Sequence, residues 1–266
     1  MILFILTVII PLVQAIPYST WQWDGFSAKH TFVGLGNYIA LFKDKNLYRS
    51  LLNTVEFTVP YVLFSNLLGF AIALMLKKTT RYTSVLRTIF FVPFVLSVLL
   101  ASFIFSYVYS DVLYSIFGIK SPLGDYHVVN YALAVIAIWK DTGYCMILDL
   151  AALNMISGDY YEAASLEGAT PWQCLTRITM PLMIPAFTTN IILLLTWGIQ
   201  AFDYAMGATS GGPGNYSETL AMFVYKSIFQ YHKAGYGAAA GLVLAILLAI
   251  ITVIATKAFR SKEVEM

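Results

Sequence analysis

The sequence predicts an all-α polytopic membrane protein. Of its 266 residues, 59% are hydrophobic and only 11% charged, against roughly a quarter charged in an ordinary soluble domain. The apolar residues also fall into stretches of the length a helix needs to cross a bilayer, about 20 residues at 1.5 Å each. Composition excludes other classes. A disordered chain needs low hydrophobicity and high net charge. The balance of 16 Lys+Arg against 14 Asp+Glu provides no basic field for nucleic acid, so the expected surroundings are a lipid bilayer. Cys145 and Cys174 stand alone, with no spacing for a disulfide framework or a metal knuckle. His30, His127 and His232 are equally dispersed, so no metal site is expected. No nucleophile elbow, metalloprotease helix or paired carboxylate stands out, so no catalytic residue is assigned.

The elements follow from where charge is missing. The first apolar stretch, Ile2 to Ile16, is 15 residues, short for a span. It lacks the basic start and small-residue cleavage site of a signal peptide, since no Lys or Arg precedes Lys29. It is expected to be a first transmembrane helix whose cytoplasmic start is missing, with Tyr18, Trp21 and Trp23 as an interfacial aromatic belt. Residues 18–52 then form an outer loop. The second span runs from about Val55 to Leu76 and stops at Lys77-Lys78; the third runs from about Thr88, just after Arg87, to Tyr109. The fourth, about Tyr131 to Leu153, carries Lys140, Asp141 and Asp149; the fifth, about Leu182 to Phe202, lies between Pro181 and Asp203. An outer or interfacial segment, 204–236, precedes the sixth span, about Gly237 to Ala258, whose small residues suit close helix packing in lipid. Residues 1–266 thus form a single transmembrane domain of six spans, with both termini on one side.

Charge orients it. With cytoplasmic termini the inner segments hold Lys77, Lys78, Arg81, Arg87, Arg177, Lys257, Arg260 and Lys262, eight in all, against seven outside. Density decides more than the total: four basic residues fall in the 11 positions from Lys77 to Arg87, and short loops at helix ends carry the orienting weight. Cytoplasmic termini are expected.

The segment between the fourth and fifth spans, 154–180, then faces the cytoplasm. It reads as two short helices joined by a break. Asp159 is expected to cap the first, with Glu162 three residues on closing a capping box; Ala163, Ala164, Leu166 and Ala169 give a face of little bulk, and Gly168 is the stop. Thr170 restarts a helix as its cap, with Pro171 at the first position and Gln173 closing a second box. Such a knob suits insertion into a groove on a soluble partner.

The run Glu162-Ala163-Ala164, Glu167-Gly168-Ala169, Ile178, Met180-Pro181 and Pro185 resembles the EAA loop of the membrane subunits of binding-protein-dependent ABC importers, EAAxxDGAxxxxxFxxIxLP. Glu167 stands for Asp, Leu175 for Phe and Met180 for Leu. "VGLGNYIALF", "LLNTVEFTV", "LRTIFFVPFVLS", Trp139-Lys140, Leu150 to Leu153 and "TSGGP" are similar to the carbohydrate-uptake branch, in the motif order of the first permease component of maltose and glycerol-3-phosphate transporters. Residues 110–129 follow the family poorly. The resemblance implies the type I importer permease architecture in a bacterial or archaeal cytoplasmic membrane. It also implies a heterodimer with a second homologous permease, two ATP-binding cassette subunits, and an extracytoplasmic solute-binding protein that delivers a sugar or oligosaccharide. Asp159, Glu162, Ala163, Ala164, Glu167, Gly168 and Ala169 would form the coupling helix. The chain has no G-x-x-x-x-G-K-[ST] loop; ATP and Mg are expected on the partner subunits, and no cofactor on this chain.

Ionisable and polar groups inside spans mark the expected solute path. On the fourth span these are Lys140 and Tyr144; on the fifth, Asn190, Trp197, Gln200 and Tyr204 recur at offsets of 7, 3 and 4 as one helical stripe, equally suited to interhelical hydrogen bonding. Structural roles are expected for Asp149 and Asp203. The alternative is an ion-coupled secondary transporter with Lys140, Asp141 and Asp203 as its proton or sodium site.

Overall fold

The computed structural model describes residues 2–260; Lys262 of the charge balance lies outside the described residues. The first helix, α1 (residues 2–19), includes a π-helical turn at Ile5–Ile9. Its apolar helix Ile5–Ser19 is shorter than a crossing requires. Two short strands, β1 (Trp21–Gln22) and β2 (Thr31–Phe32), pair antiparallel with Trp21 opposite Phe32. Between them the Asp24 carboxylate accepts from the backbone N–H groups of Phe26 and Ser27, 2.9 Å each, which holds its pKa below the usual carboxylate value. Helix α2 (Gly36–Lys43) is moored to the end of α1 by Asn37, whose amide donates to the Ser19 and Trp21 carbonyls at 2.8 and 2.9 Å.

Helix α3 (Lys45–Met75) is 31 residues long and begins ten residues before the expected boundary, so the segment expected as an outer loop ends in helix. Hydropathy marks where lipid starts; the backbone starts helix where it is capped. Asp44 accepts from the Asn46 N–H at 2.8 Å, and Arg49, on the extra turns, lies 4.2 Å over the Tyr216 ring.

The long helix α6 (Val129–Met155) packs along α3. Asn130 bonds Asn53, Tyr61 bonds Asp141, and Gly69 lies against Cys145 and Met146. Ascending numbers meet ascending numbers, so the two helices run parallel. The chain between them must therefore travel back, and α4 (Arg81–Val95) and α5 (Val98–Phe117) make that return. Here the expected unbroken third span is corrected. Pro93 removes a backbone donor, Leu96 is extended (φ −68°, ψ 144°), and Ser97 recaps the chain by accepting from the Leu100 N–H at 3.2 Å. Thr80 opens α4 with a reciprocal capping box to Thr83. Residues 110–129 are helical through Phe117, where Gly118 at φ +68° ends the helix.

Helix α7 (Gly158–Leu166) projects beyond α6. Then α8 (Pro171–Leu182) and α9 (Ile184–Ile199) meet at a 60° bend, so the fifth span is a bent pair rather than one rod. The segment expected as an outer or interfacial loop holds α10 (Asp203–Thr209) and α11 (residues 220–230), and α12 (Ala234–Arg260) closes the fold. Among the described residues four helices, α3, α5, α6 and α12, are long and apolar enough to cross a membrane, or five counting α8–α9 as one. The shorter α1 lies where the first of the six spans is expected, and at most five described segments pass that test of length and composition. One apolar core gathers Phe57, Tyr61, Ile136, Leu194, Tyr204 and Met222; a second, toward the Met75 end, gathers Met146, Leu150, Leu153 and Met183.

Candidate functional site

Two regions gather the candidate residues. The first is the knob. Helix α7 is capped by Ser157, whose side chain accepts from the Asp159 N–H at 3.3 Å. Asp159 is therefore a first-turn residue, and the expected Asp159–Glu162 capping box is corrected: the chain turns two residues earlier, while an acid in the first turn still suits the helix dipole. The end of α7 follows expectation. Gly168 takes φ +78°, and the Gly168 and Ala169 N–H groups donate to the carbonyls of Ser165 and Ala164 at 3.1 and 2.9 Å, a Schellman closure. The Thr170–Gln173 box is present, with the Thr170 N–H donating to Gln173 Oε1 at 2.7 Å and the Gln173 N–H to Thr170 Oγ1 at 3.3 Å.

Between α7 and α8 lies a shallow groove of about 390 Å³ lined by Ala163, Ala164, Glu167, Gly168, Ala169 and, across it, Arg177. Leu166 and Trp172 stand beside it, 90% and 70% exposed. The root of the knob is fixed: the Tyr161 hydroxyl shares a 2.9 Å hydrogen bond with Thr179, and the Lys77 ammonium sits 4.5 Å over the Tyr161 ring.

The second region is a cavity of about 330 Å³ between α3, α4, α6 and the chain from α9 to α10. Lys140, Trp197, Gln200 and Tyr204 all line it. They do not form one helical stripe: α9 ends at Ile199, Gln200 caps it, and Tyr204 belongs to α10. The change of direction after Ile199 brings Tyr204 to the wall. Asn190 is elsewhere, buried and donating to Asp149 Oδ1 at 3.0 Å; Asp149 lies six residues before the end of α6. Tyr144 stands behind the wall, its ring centroid 4.9 Å from Phe94 and 5.3 Å from Trp197.

Asp141 organises the cavity. Its Oδ2 accepts from the Tyr61 and Tyr204 hydroxyls at 2.7 and 3.2 Å, and its Oδ1 lies 3.2 Å from the Lys140 ammonium. Lys140 also donates to the Phe94 carbonyl at 3.2 Å and sits 4.8 Å over the Phe94 ring. Buried charges in a low-dielectric medium require such pairing. Tyr61 and Phe94 escaped the sequence reading because nothing in their own spans distinguishes them from core aromatics. Asp203, expected to be structural, opens α10 and lines the cavity.

A polar clamp also went unseen. Lys226 and Glu218, read as loop residues, are buried and paired at 2.7 Å. Asn53 donates to the Asn215 and Glu218 carbonyls at 3.0 Å each, and Asn130 to Glu56 at 2.8 Å. Together they fasten the chain before α11 to α3 and α6.

Residues 65–263, well over half the chain, match the family model described as binding-protein-dependent transport system inner membrane component. The chain is 27% identical over 268 residues, 98% of its length and 91% of the relative's, to a probable starch degradation products transport system permease protein, AmyD, of Thermoanaerobacterium thermosulfurigenes. It is 31% identical to the multiple sugar-binding transport system permease protein MsmF of Streptococcus mutans, covering 96% of this chain and 90% of that one. Among solved structures it is similar to a chain of a bacterial ABC transporter involved in the import of the acidic polysaccharide alginate. There the TM-score is 0.83 at 22% identity, over 98% of this chain and 92% of that one, which shows the type I importer permease fold. These matches do not favour the ion-coupled alternative. With a capped knob at one end, a polar and aromatic cavity within, and a family model running through both, the chain belongs to the inner membrane components of binding-protein-dependent transport systems.

Proposed function

We propose that the chain lines the path of a sugar or oligosaccharide delivered by an extracytoplasmic solute-binding protein, across the cytoplasmic membrane of a bacterium or archaeon. The observation that carries this reading is the cavity in which the Trp197 and Phe94 rings face Gln200, Tyr61 and Tyr204. Aromatic faces pack on the C–H surfaces of a sugar ring, while amide and phenol groups exchange hydrogen bonds with its hydroxyls. Its volume falls at the small end of the roughly 300–1,000 Å³ usual for small-molecule sites, as suits one wall of a path completed by a second, homologous permease. The sugars in the names of the AmyD and MsmF relatives support the same substrate class.

Helix α7, from Asp159 through Glu162, Ala163 and Ala164 to Glu167, Gly168 and Ala169, is the coupling element in this proposal. It docks in a groove on one of two ATP-binding cassette subunits, where ATP and Mg bind; this chain binds no cofactor. The termini are cytoplasmic, on the side of the knob. Because Tyr161 is pinned to Thr179 and Lys77, a push on α7 reaches α3 and α8 as a displacement of their ends.

In the reconstituted transporter, Trp197→Ala removes an aromatic contact worth about 1–1.5 kcal/mol, so uptake at sub-saturating sugar should fall about tenfold while ATPase subunits stay bound. Deleting residues 162–169 should abolish ATPase association and uptake without blocking membrane insertion. Normal uptake by the first variant would remove the cavity from the path, and normal uptake by the second would remove α7 from the coupling.

A further inference from the structure

We infer that Asp203, with Asp141 behind it, makes this wall of the path a filter that admits uncharged polyhydroxylated solutes and turns away sugar carboxylates; the inference rests on the cavity being the sugar path. The charged groups lining the cavity are Lys140, Asp141 and Asp203. Lys140 is the one cation among them, and its charge is already paired: its ammonium is held at 3.2 Å by Asp141, at 3.2 Å by the Phe94 carbonyl, and over the Phe94 ring. An ammonium has three protons to donate, and two are already directed into the wall. An entering carboxylate would have to pull it from a buried pair, leaving Asp141 uncompensated in a low-dielectric site.

Asp141 is occupied as well. The hydroxyl protons of Tyr61 and Tyr204 point to its Oδ2, so both phenol oxygens present lone pairs and no donor to the cavity. Asp203 is exposed and adds a carboxylate with no cation paired to it among the described residues. Lys140 cancels Asp141, and the wall keeps the one net negative charge of Asp203. Sugar hydroxyls donate readily to such a surface. A uronate meets charge against charge at Asp203, which excludes it by repulsion more than by shape. The fold is shared with a chain of an importer of acidic polysaccharide, yet the lining here has no free cation with which to receive an acidic sugar.

D-glucose and D-glucuronate are the test probes, equal in ring geometry and differing at one carbon. Each is titrated into the assembled transporter, this chain with its partner permease and ATPase subunits, in lipid nanodiscs, with the fluorescence change that is absent in Trp197→Phe as the readout. Glucuronate should require at least about tenfold higher concentration than glucose. Asp203→Asn should bring the two within about threefold of each other by improving glucuronate and leaving glucose unchanged, and Asp203→Ser should do the same. Added salt should narrow the native difference, because an exposed carboxylate is screened. Equal responses of the native chain, or a preference that survives both Asp203 variants, would overturn the filter while leaving the path intact. No response to either sugar would overturn the path reading and the filter with it.

Discussion

Single residues divide here into those that face the cavity and those that hold its walls. Asn190 was expected in the path from its spacing with Trp197, but its amide is committed to Asp149, and both side chains are fully buried. Asn190→Ala strips a hydrogen bond from a buried carboxylate, at a cost of about 1.5–3 kcal/mol. The thermal midpoint of the detergent-solubilised chain should therefore fall further than in Trp197→Ala, which loses a partly exposed ring packed on Tyr144 and should lower uptake more than Asn190→Ala; the reverse pattern would exchange their roles. Gly143 is a second residue whose role is packing. A β-carbon there would collide with the Phe90 carbonyl, so Gly143→Ala should push α4 off α6 and cost about 1–3 kcal/mol, checked in the same unfolding assay.

At the scale of elements, caps decide boundaries that hydropathy leaves open. Ser157→Ala removes the α7 cap and should cost that helix about 1 kcal/mol, while Asp159→Ala, which removes only a first-turn charge, should cost less. Amide exchange at Asp159 and Tyr160 in the two variants would separate them. In sequence Glu162, three residues after Asp159, drew the cap to Asp159 and away from Ser157, whereas Thr170, Pro171 and Gln173 were legible at once. The spans were legible from their missing charges because lipid tolerates few. The break at Leu96 and Ser97 was not, since Pro93 and Ser97 lie inside an unbroken apolar run and a helix in lipid tolerates a single proline. Nor was the extension of α3 to Lys45, which lies on the polar side of the boundary that hydropathy senses. Of the cavity, Lys140 was visible as an ionisable group inside a span, and Trp197, Gln200 and Tyr204 as polar or aromatic groups at helical spacing; Tyr61 and Phe94 were not, because their part depends on which helix they meet.

For the molecule as a whole, the clamp that joins Glu218 and Lys226 to α3 and α6 holds the α10–α11 segment over the cavity. Lys226→Met leaves Glu218 buried without its cation and should cost about 3–5 kcal/mol. The paired replacement Glu218→Gln with Lys226→Met should recover most of that loss, as measured by the thermal midpoint; a double variant no better than the single would show that the pair does not act as a unit. The parallel packing of α3 on α6 also has a meaning in time. Asn53 meets Asn130, 77 positions later, and Tyr61 meets Asp141, 80 positions later. At a synthesis rate of about 5–20 residues per second, α3 emerges from the ribosome roughly 4–16 seconds before its partner helix. Through that interval its asparagine and tyrosine have no α6 to bond, and the returning pair α4–α5 must be threaded before α6 arrives. A pause in translation before residue 129 would therefore lengthen the time that Asn53 and Tyr61 of α3 wait for α6, whereas one placed after residue 155 would leave that wait unchanged.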